Sequence, residues 1–322
     1  MSRHSRFAAI AVLGAAFSLP VAAQSVKVTP LGGFDGEFCA QDRALVFEDP
    51  NGTRVLYDAG RTVMGGADPR LGKIDVILIT HTHGDHLGNA HTKAIGAGTC
   101  AAPDFSVSDI PNSNSVNIAL AKGSTIVVGS DMPQFLQAKM KANGGDPAKV
   151  RLARFGGSVT VGGVKIATVT AMHSNGLDPD YIGGELGKTM KEAGLWGDVG
   201  LATGYVLTFS NGLVVYLSGD TGITADMDRV VRDYYHAKLV VMNISDAPFT
   251  TGPAEAAYVI NDLVKPRAVI ASHANEAVTE GGKVRAGTKT EAFIKATKVP
   301  VHVPLSGKTM EFDGNGKCTA GC

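Results

Sequence analysis

His81-Thr82-His83-Gly84-Asp85-His86 places three imidazoles and one carboxylate within six residues of a chain that has nine histidines in 322. Random placement would rarely crowd three of the nine together, and the main shared use of these side chains is metal ligation. The residues just before it, Val76-Ile77-Leu78-Ile79-Thr80, are apolar and β-branched and predict a buried strand. The hexad thus leaves a strand end, where connecting segments carry function.

Three further candidate ligands follow predicted strands in the same way. His173 comes after the strand-like run 164–171, Asp220 sits in Ser218-Gly219-Asp220-Thr221-Gly222 after 214–217, and His273 follows 268–272. Taken singly, each has an ordinary explanation: a buried histidine that has found a hydrogen-bond partner, or an aspartate that favours a turn. Repeated at strand ends after a metal-like hexad, the placement points to one shared site. His4 belongs to the leader discussed below, and His91, His236 and His302 show no such placement. His91 reads as part of a solvated face just past the hexad.

The rest of the chain supplies a strand-rich frame. Strand signals occur at 25–28, 44–48, 55–57, 76–80, 125–128, 164–171, 205–209, 214–217, 239–242 and 268–272, each bounded by turn-forming residues. Helical signals occur at 132–143, which has Pro133 in its first turn and stops at Gly144-Gly145, at 253–264, and at 288–297. Forty glycines imply many tight turns. Two stretches, 89–117 and 174–203, show little periodicity and are expected to be lids over the site. Tyr181 and Trp196 are the large apolar groups of the second stretch, and pocket lining and core packing explain them equally well. Ser174 and Asn275 flank candidate ligands, where they either bond substrate or cap loops.

The first 23 residues are expected to be a signal peptide: Arg3 and Arg6 precede an apolar run ending near Leu19, and Val21-Ala22-Ala23 offers small residues for cleavage before Gln24. The remainder, 24–322, is expected to be one domain, periplasmic or secreted from a bacterium, with no membrane attachment after cleavage. Losing Arg3 and Arg6 lowers lysine plus arginine from 30 to 28 against 30 acidic residues, a net charge of −2. That balance argues against nucleic acid as a partner, because its binders present a basic face. A small-molecule substrate is the expected partner, and oligomeric state is not legible. Four cysteines, Cys39, Cys100, Cys318 and Cys322, allow three pairings and read as structural disulfides in an oxidising compartment. Cys318 and Cys322 are close enough for a small terminal loop, and Cys39 with Cys100 would then tie the N-terminal strands to the segment after the hexad.

Taken together, His81-x-His83-x-Asp85-His86 and the later His173, Asp220 and His273 resemble the binuclear pattern of the metallo-β-lactamase superfamily, over nearly all of the mature chain. Asp58 in Tyr57-Asp58-Ala59-Gly60 matches an aspartate that this family places before its motif. The C-terminal half is similar to the L-ascorbate-6-phosphate lactonase-like branch at His173-Ser174, Gly219-Asp220-Thr221-Gly222, the stretch from Phe249 to Ala257, and His273-Ala274-Asn275. It departs from that branch at Asn243-Ile244-Ser245-Asp246, in its leader, and in the long segment after the hexad.

The resemblance implies an α+β fold, an αββα sandwich of two mixed sheets with outer helices and the metals at one edge. It implies that His81, His83 and His173 hold a first ion, that Asp85, His86 and His273 hold a second, and that Asp220 bridges. Two Zn²⁺ are expected, with iron, manganese or nickel also compatible with these donors. A hydroxide shared by the two ions would attack a small ester-like substrate, a lactone or a phosphodiester, with Asp85 orienting it or passing a proton. Asp58 is expected to accept the free N–H of a liganding histidine and so fix its tautomer. β-Lactam or organophosphate hydrolysis is the alternative within the class. A diiron oxidoreductase is the alternative outside it, opposed by the missing flavin or rubredoxin module and by His83, where diiron reductases usually carry a glutamate. A non-catalytic metal-binding role fits poorly with seven donors all in place.

Overall fold

A computed structural model describes residues 24–245 and 249–322; the expected leader, 1–23, lies outside the described residues. Two mixed sheets carry the fold. The strands are β1 (Val26–Pro30), β2 (Leu45–Glu48), β3 (Arg54–Tyr57), β4 (Val76–Leu78), β5 (Thr125–Val128), β6 (Val150–Leu152), β7 (Ser158–Val161), β8 (Val164–Ala171), β9 (Ala202–Thr208), β10 (Val214–Leu217), β11 (Leu239–Asn243), β12 (Ala268–Ser272), β13 (Val301–His302), β14 (Met310–Phe312) and β15 (Cys318–Ala320). The first sheet has the order β15-β14-β1-β2-β3-β4-β5-β6 and the second β13-β12-β11-β10-β9-β8-β7.

Alternation along the strands explains the layers. Leu45 and Phe47 of β2, and Val76 and Leu78 of β4, point into a core shared with Tyr205, Leu207, Val215, Leu217 and Val241 of the other sheet. Their neighbours Val46 and Ile77 face the opposite way, onto α1 (Asn114–Lys122) and α2 (Met132–Ala142). Val240, Val269 and Ala271 of the second sheet likewise face α3 (Pro253–Tyr258), its continuation Val259–Val264, and Phe293 of α4 (Lys289–Ala296). Two sheets between two helical layers form the αββα sandwich that the resemblance implies. Both sheets become parallel on one side of the molecule: β3 with β4, β5 and β6, and β10 with β11, β12 and β13. The ends of β3, β4, β8, β10 and β12 lead into the candidate ligands, so each sheet delivers several to one edge.

The structure revises several local expectations. Strand β4 ends at Leu78, so Ile79 and Thr80 already belong to the loop. The supposed lids hold helices: α1 occupies part of 89–117 and beyond, and a helix over Gly184–Glu192 lies within 174–203. α1 is capped by the Ser113 hydroxyl, which accepts from the Val116 N–H, but asparagines at 112, 114 and 117 obscure its apolar face. The second helix places Leu186 and Met190 four residues apart but leaves Leu186 exposed and buries only Gly187, so its apolar side is not turned into the core. β6, β7, β13, β14 and β15 were not expected. β14 and β15 are three residues each and exist by pairing, β14 with β1 and β15 with β14, which no local pattern announces. The disulfides join Cys39 to Cys100 and Cys318 to Cys322. Among the described residues, no helix is long and apolar enough to cross a membrane.

Candidate metal centre

After β4 the chain reaches His83, whose backbone is extended, and then closes a wide helical turn over Gly84–Gly88. Gly60 lets this turn pack. Its φ is +54°, and a Cβ there would lie 2.5 Å from the Asp85 carbonyl oxygen. Asn175 ties the hexad to the loop after β8, its Oδ1 accepting from the Thr82 N–H at 2.9 Å and the Thr82 hydroxyl at 3.0 Å.

These constraints bring His81, His83 and His173 together, with ring nitrogens within 4.8 Å of one another. His83 Nδ1 and His173 Nε2 are 3.3 Å apart. His81 Nε2 is buried with no hydrogen-bond partner. Burial holds the His81 pKa well below the usual imidazole value, and those of His83 and His173 below it too. Three neutral rings aim nitrogens at one point, and one of those nitrogens is otherwise orphaned. This set fits a metal ion.

Asp220 lies between this set and the next. Its Oδ2 is 3.9 Å from His173 Nε2 and 3.0 Å from His273 Nε2, and its Oδ1 is 3.3 Å from His86 Nε2. Burial opposes its charge, but His273 and His86 beside it hold its pKa well below the carboxylate range. Asp85, His86 and His273 form the second group.

Asp58 meets its expectation geometrically. It is fully buried with a φ of +40°, and its carboxylate accepts from the Thr80 N–H at 2.9 Å and the Thr80 hydroxyl at 2.8 Å, with His86 Nδ1 at 2.8 Å. The Thr80 oxygen is in turn 3.0 Å from His81 Nδ1. One carboxylate therefore orients two rings, His86 directly and His81 through Thr80, and leaves Nε2 of each as the lone-pair side. His273 and Asn275 also adopt left-handed backbone, with φ of 54° and 52°, at the loop after β12.

The residue that sequence reasoning missed is Arg43, two positions before β2. Its Nη2 is 2.5 Å from Asp85 Oδ2 and 2.7 Å from His273 Nε2, and it donates to Asn275 Oδ1 at 2.9 Å. Its Nε donates to His86 Nε2 at 3.2 Å. Burial opposes the Asp85 charge, but Arg43 keeps that carboxyl well below its usual range. Around His86, burial disfavours a positive ring, yet Asp220, Asp58 and Asp85 outweigh it and push the pKa up to about 10. His86 Nε2 thus has two claimants: protonated, it donates to Asp220; neutral, it accepts from Arg43, and the guanidinium then supplies the positive charge that the carboxylates demand. A lone arginine before a strand carries no sequence signal for this position.

The centre opens to a cavity of about 710 Å³ whose lining includes Asp85, His173, Ser174, Trp196, Phe249 and Asn275. Trp196 lines it; Tyr181 does not, being fully buried in the core under α2. His91 is not on a solvated face: its Nδ1 bonds Asp109 at 2.7 Å, mostly covered.

Comparison with known proteins agrees with this geometry. Residues 53–274 match the Beta-lactamase superfamily domain. A UPF0173 metal-dependent hydrolase of Cupriavidus necator is 28% identical over 331 residues, covering 94% of this chain and 96% of the relative. Another, from Chloroflexus aurantiacus, is 32% identical over 233 residues, covering 70% of this chain and 76% of the relative. Among solved structures, Igni18, a metallo hydrolase from the archaeon Ignicoccus hospitalis, superposes with a TM-score of 0.58 at 19% identity, over 90% of this chain and 99% of that one. The chain thus belongs to the metallo-β-lactamase superfamily, as one of its metal-dependent hydrolases.

Proposed function

We propose that this chain is an exported zinc hydrolase acting on a small ester-like substrate, a lactone or a phosphodiester, through a centre of two adjacent cation sites. The observation that carries the reading is the convergence of His81, His83 and His173 beside Asp220 at the base of an open cavity. Neutral imidazoles with one carboxylate suit zinc. When bound, such an ion lowers the pKa of a coordinated water to about 7 and polarises the oxygen of the scissile bond. The chain's own residues do the rest. Asp85 reaches the cavity with Oδ2 tied to Arg43, which leaves Oδ1 to orient the attacking water or carry a proton to the leaving group. Ser174 and Asn275 offer polar contacts at the cavity floor, while Trp196 and Phe249 give it an apolar wall. A compact substrate with one hydrolysable polar group and an apolar flank matches this lining.

The test is a panel of chromogenic substrates, comprising a lactone, a phosphodiester, a phosphotriester and a cephalosporin, with metal content measured on the same sample. Turnover of the lactone or the phosphodiester, abolished by a chelator and restored by Zn²⁺, is the expected outcome. Metal-loaded protein that cleaves only the cephalosporin or the phosphotriester would replace the substrate class, and a visible two-iron chromophore would replace the reaction class. Export is part of the proposal, supported by the two disulfides. Recovery of shortened protein in the periplasmic fraction or the medium is expected, and full-length protein confined to the cytoplasm would contradict it.

A further inference from the structure

We propose that the guanidinium of Arg43 is the second cation of the centre, so that the chain takes up a single tightly bound metal ion, at His81, His83 and His173 with Asp220. This rests on the hydrolase reading above and specifies it. Three of the atoms that the second group could offer a metal already face Arg43: Asp85 Oδ2 at 2.5 Å, His273 Nε2 at 2.7 Å and His86 Nε2 at 3.2 Å. An imidazole nitrogen has one lone pair, so a ring that accepts an N–H has none left for a metal. For His86 the alternative nitrogen is not free either, since Nδ1 bonds Asp58 at 2.8 Å. With those three atoms taken, the second group keeps only Asp85 Oδ1 and His273 Nδ1, too few donors to hold a metal tightly while Arg43 is in place, whereas the first keeps a nitrogen from each of its three rings, His81 Nε2 among them buried without a partner.

Arg43 is held firmly. Its side chain is 2% exposed. The preceding residue, Asp42, is pinned by the Gly33 N–H at 2.8 Å and the Cys39 N–H at 2.7 Å, next to the Cys39–Cys100 bridge. Asn275 gives Nη2 a further acceptor. Swinging the guanidinium out to admit a dication would strip it of these partners and bury or expose three donors at once. Left in place, it would repel a dication a few ångströms away. Arg43 thus acts as a positioning residue: it neutralises Asp85, orders His86 and His273, and fixes the stoichiometry of the site.

The experiment is metal uptake by the full chain. Metal-free wild type and R43Q are each equilibrated with excess Zn²⁺, passed through a desalting column and analysed for zinc per chain. One zinc is expected for wild type and two for R43Q, with the second dissociation constant in R43Q about 100-fold tighter than in wild type. Cobalt-loaded samples give a spectroscopic readout: an isolated high-spin ion in wild type and a coupled pair in R43Q. Two tight zincs or a coupled pair in wild type would overturn the proposal and leave the hydrolase reading standing. One zinc in a folded R43Q, or in R43M should R43Q not fold, would also overturn it. No zinc in wild type would remove the hydrolase reading itself and this inference with it.

Discussion

Replacing Asp58 tests the deepest layer of the site, because one buried carboxylate satisfies three donors there. The alanine variant strands the Thr80 N–H, the Thr80 hydroxyl and His86 Nδ1–H, which now lie 2.8–2.9 Å from Asp58 oxygens. Leaving a buried donor unpaired costs about 1–3 kcal/mol, so with some relief from entering water the loss is expected to be about 3–5 kcal/mol. That is a large part of the stability of about 5–15 kcal/mol that ordinary domains possess. Asp58→Asn is the sharper probe. Its amide oxygen can keep the Thr80 N–H, but its NH₂ faces His86 Nδ1 and the Thr80 oxygen as a donor. His86 must then carry its proton on Nε2, and the chain from His81 Nδ1 through Thr80 loses its terminal acceptor. D58N should therefore destabilise the metal-free protein less than D58A, yet weaken zinc binding about 10–100-fold. Urea unfolding followed by circular dichroism reads the first effect, and competition with a fluorescent zinc chelator reads the second. If D58N binds zinc as wild type does, the orienting role assigned to Asp58 is wrong, whatever its effect on stability.

Three further outcomes follow from the same geometry. Asp220→Ala removes the carboxylate lying between both donor groups and should lower zinc affinity and turnover by about 100-fold or more, measured by the same chelator competition and by steady-state kinetics; an Asp220→Ala variant with intact zinc content and turnover would sink the site. The metal-free protein should lose stability as pH falls below 6.5, because His81, His83 and His173 have lowered pKa values and take up protons in that window only when unfolded. Asp42, whose burial pushes its carboxyl up to about 7, and His86, which its carboxylate neighbours push up to about 10, work the other way, two groups against those three and His302, whose burial also lowers it, so urea midpoints that rise between pH 7.5 and 5.5 would contradict the balance. Removing the Cys39–Cys100 bridge, which closes a loop of sequence separation 61, should cost about 4 kcal/mol in the chain-entropy picture, and an unchanged unfolding free energy in C39S/C100S would show that the loop is ordered without it.

The site was legible in the sequence where ligands are crowded or follow patterned strands. The hexad names itself by composition, and His173, Asp220 and His273 each follow a strand, β8, β10 or β12, whose apolar run can be read locally. Asp58 was legible only through likeness to a family, since Asp before Ala-Gly also reads as a turn. What stayed hidden is what depends on pairing between distant segments. β14 takes its place from register with β1 and β15 from register with β14, the helix over Gly184–Glu192 buries only Gly187, and the Tyr181 ring packs into a core 40 residues or more from its partners near α2 and β5.

Arg43 shows why such residues escape a sequence reading and why they matter. It comes from the first sheet, two residues before β2, while His273 and Asn275 come from the far end of the second. Only the sandwich brings them within hydrogen-bond reach. The charge balance makes its position intelligible. Asp58, Asp85 and Asp220 surround His86 with three carboxylates, and a buried cluster of that sign demands cations beyond one metal ion. A second dication is one answer, but it must be captured from solution and can be lost. A guanidinium is built into the chain, and it returns to the same place each time the protein folds. Arg43 leaves Asp85 charged and aimed at the cavity, so the carboxylate is prepared for proton transfer before any substrate arrives. On this argument the seven-donor pattern alone does not fix the number of metals in a site of this kind; the nearest buried cation decides it.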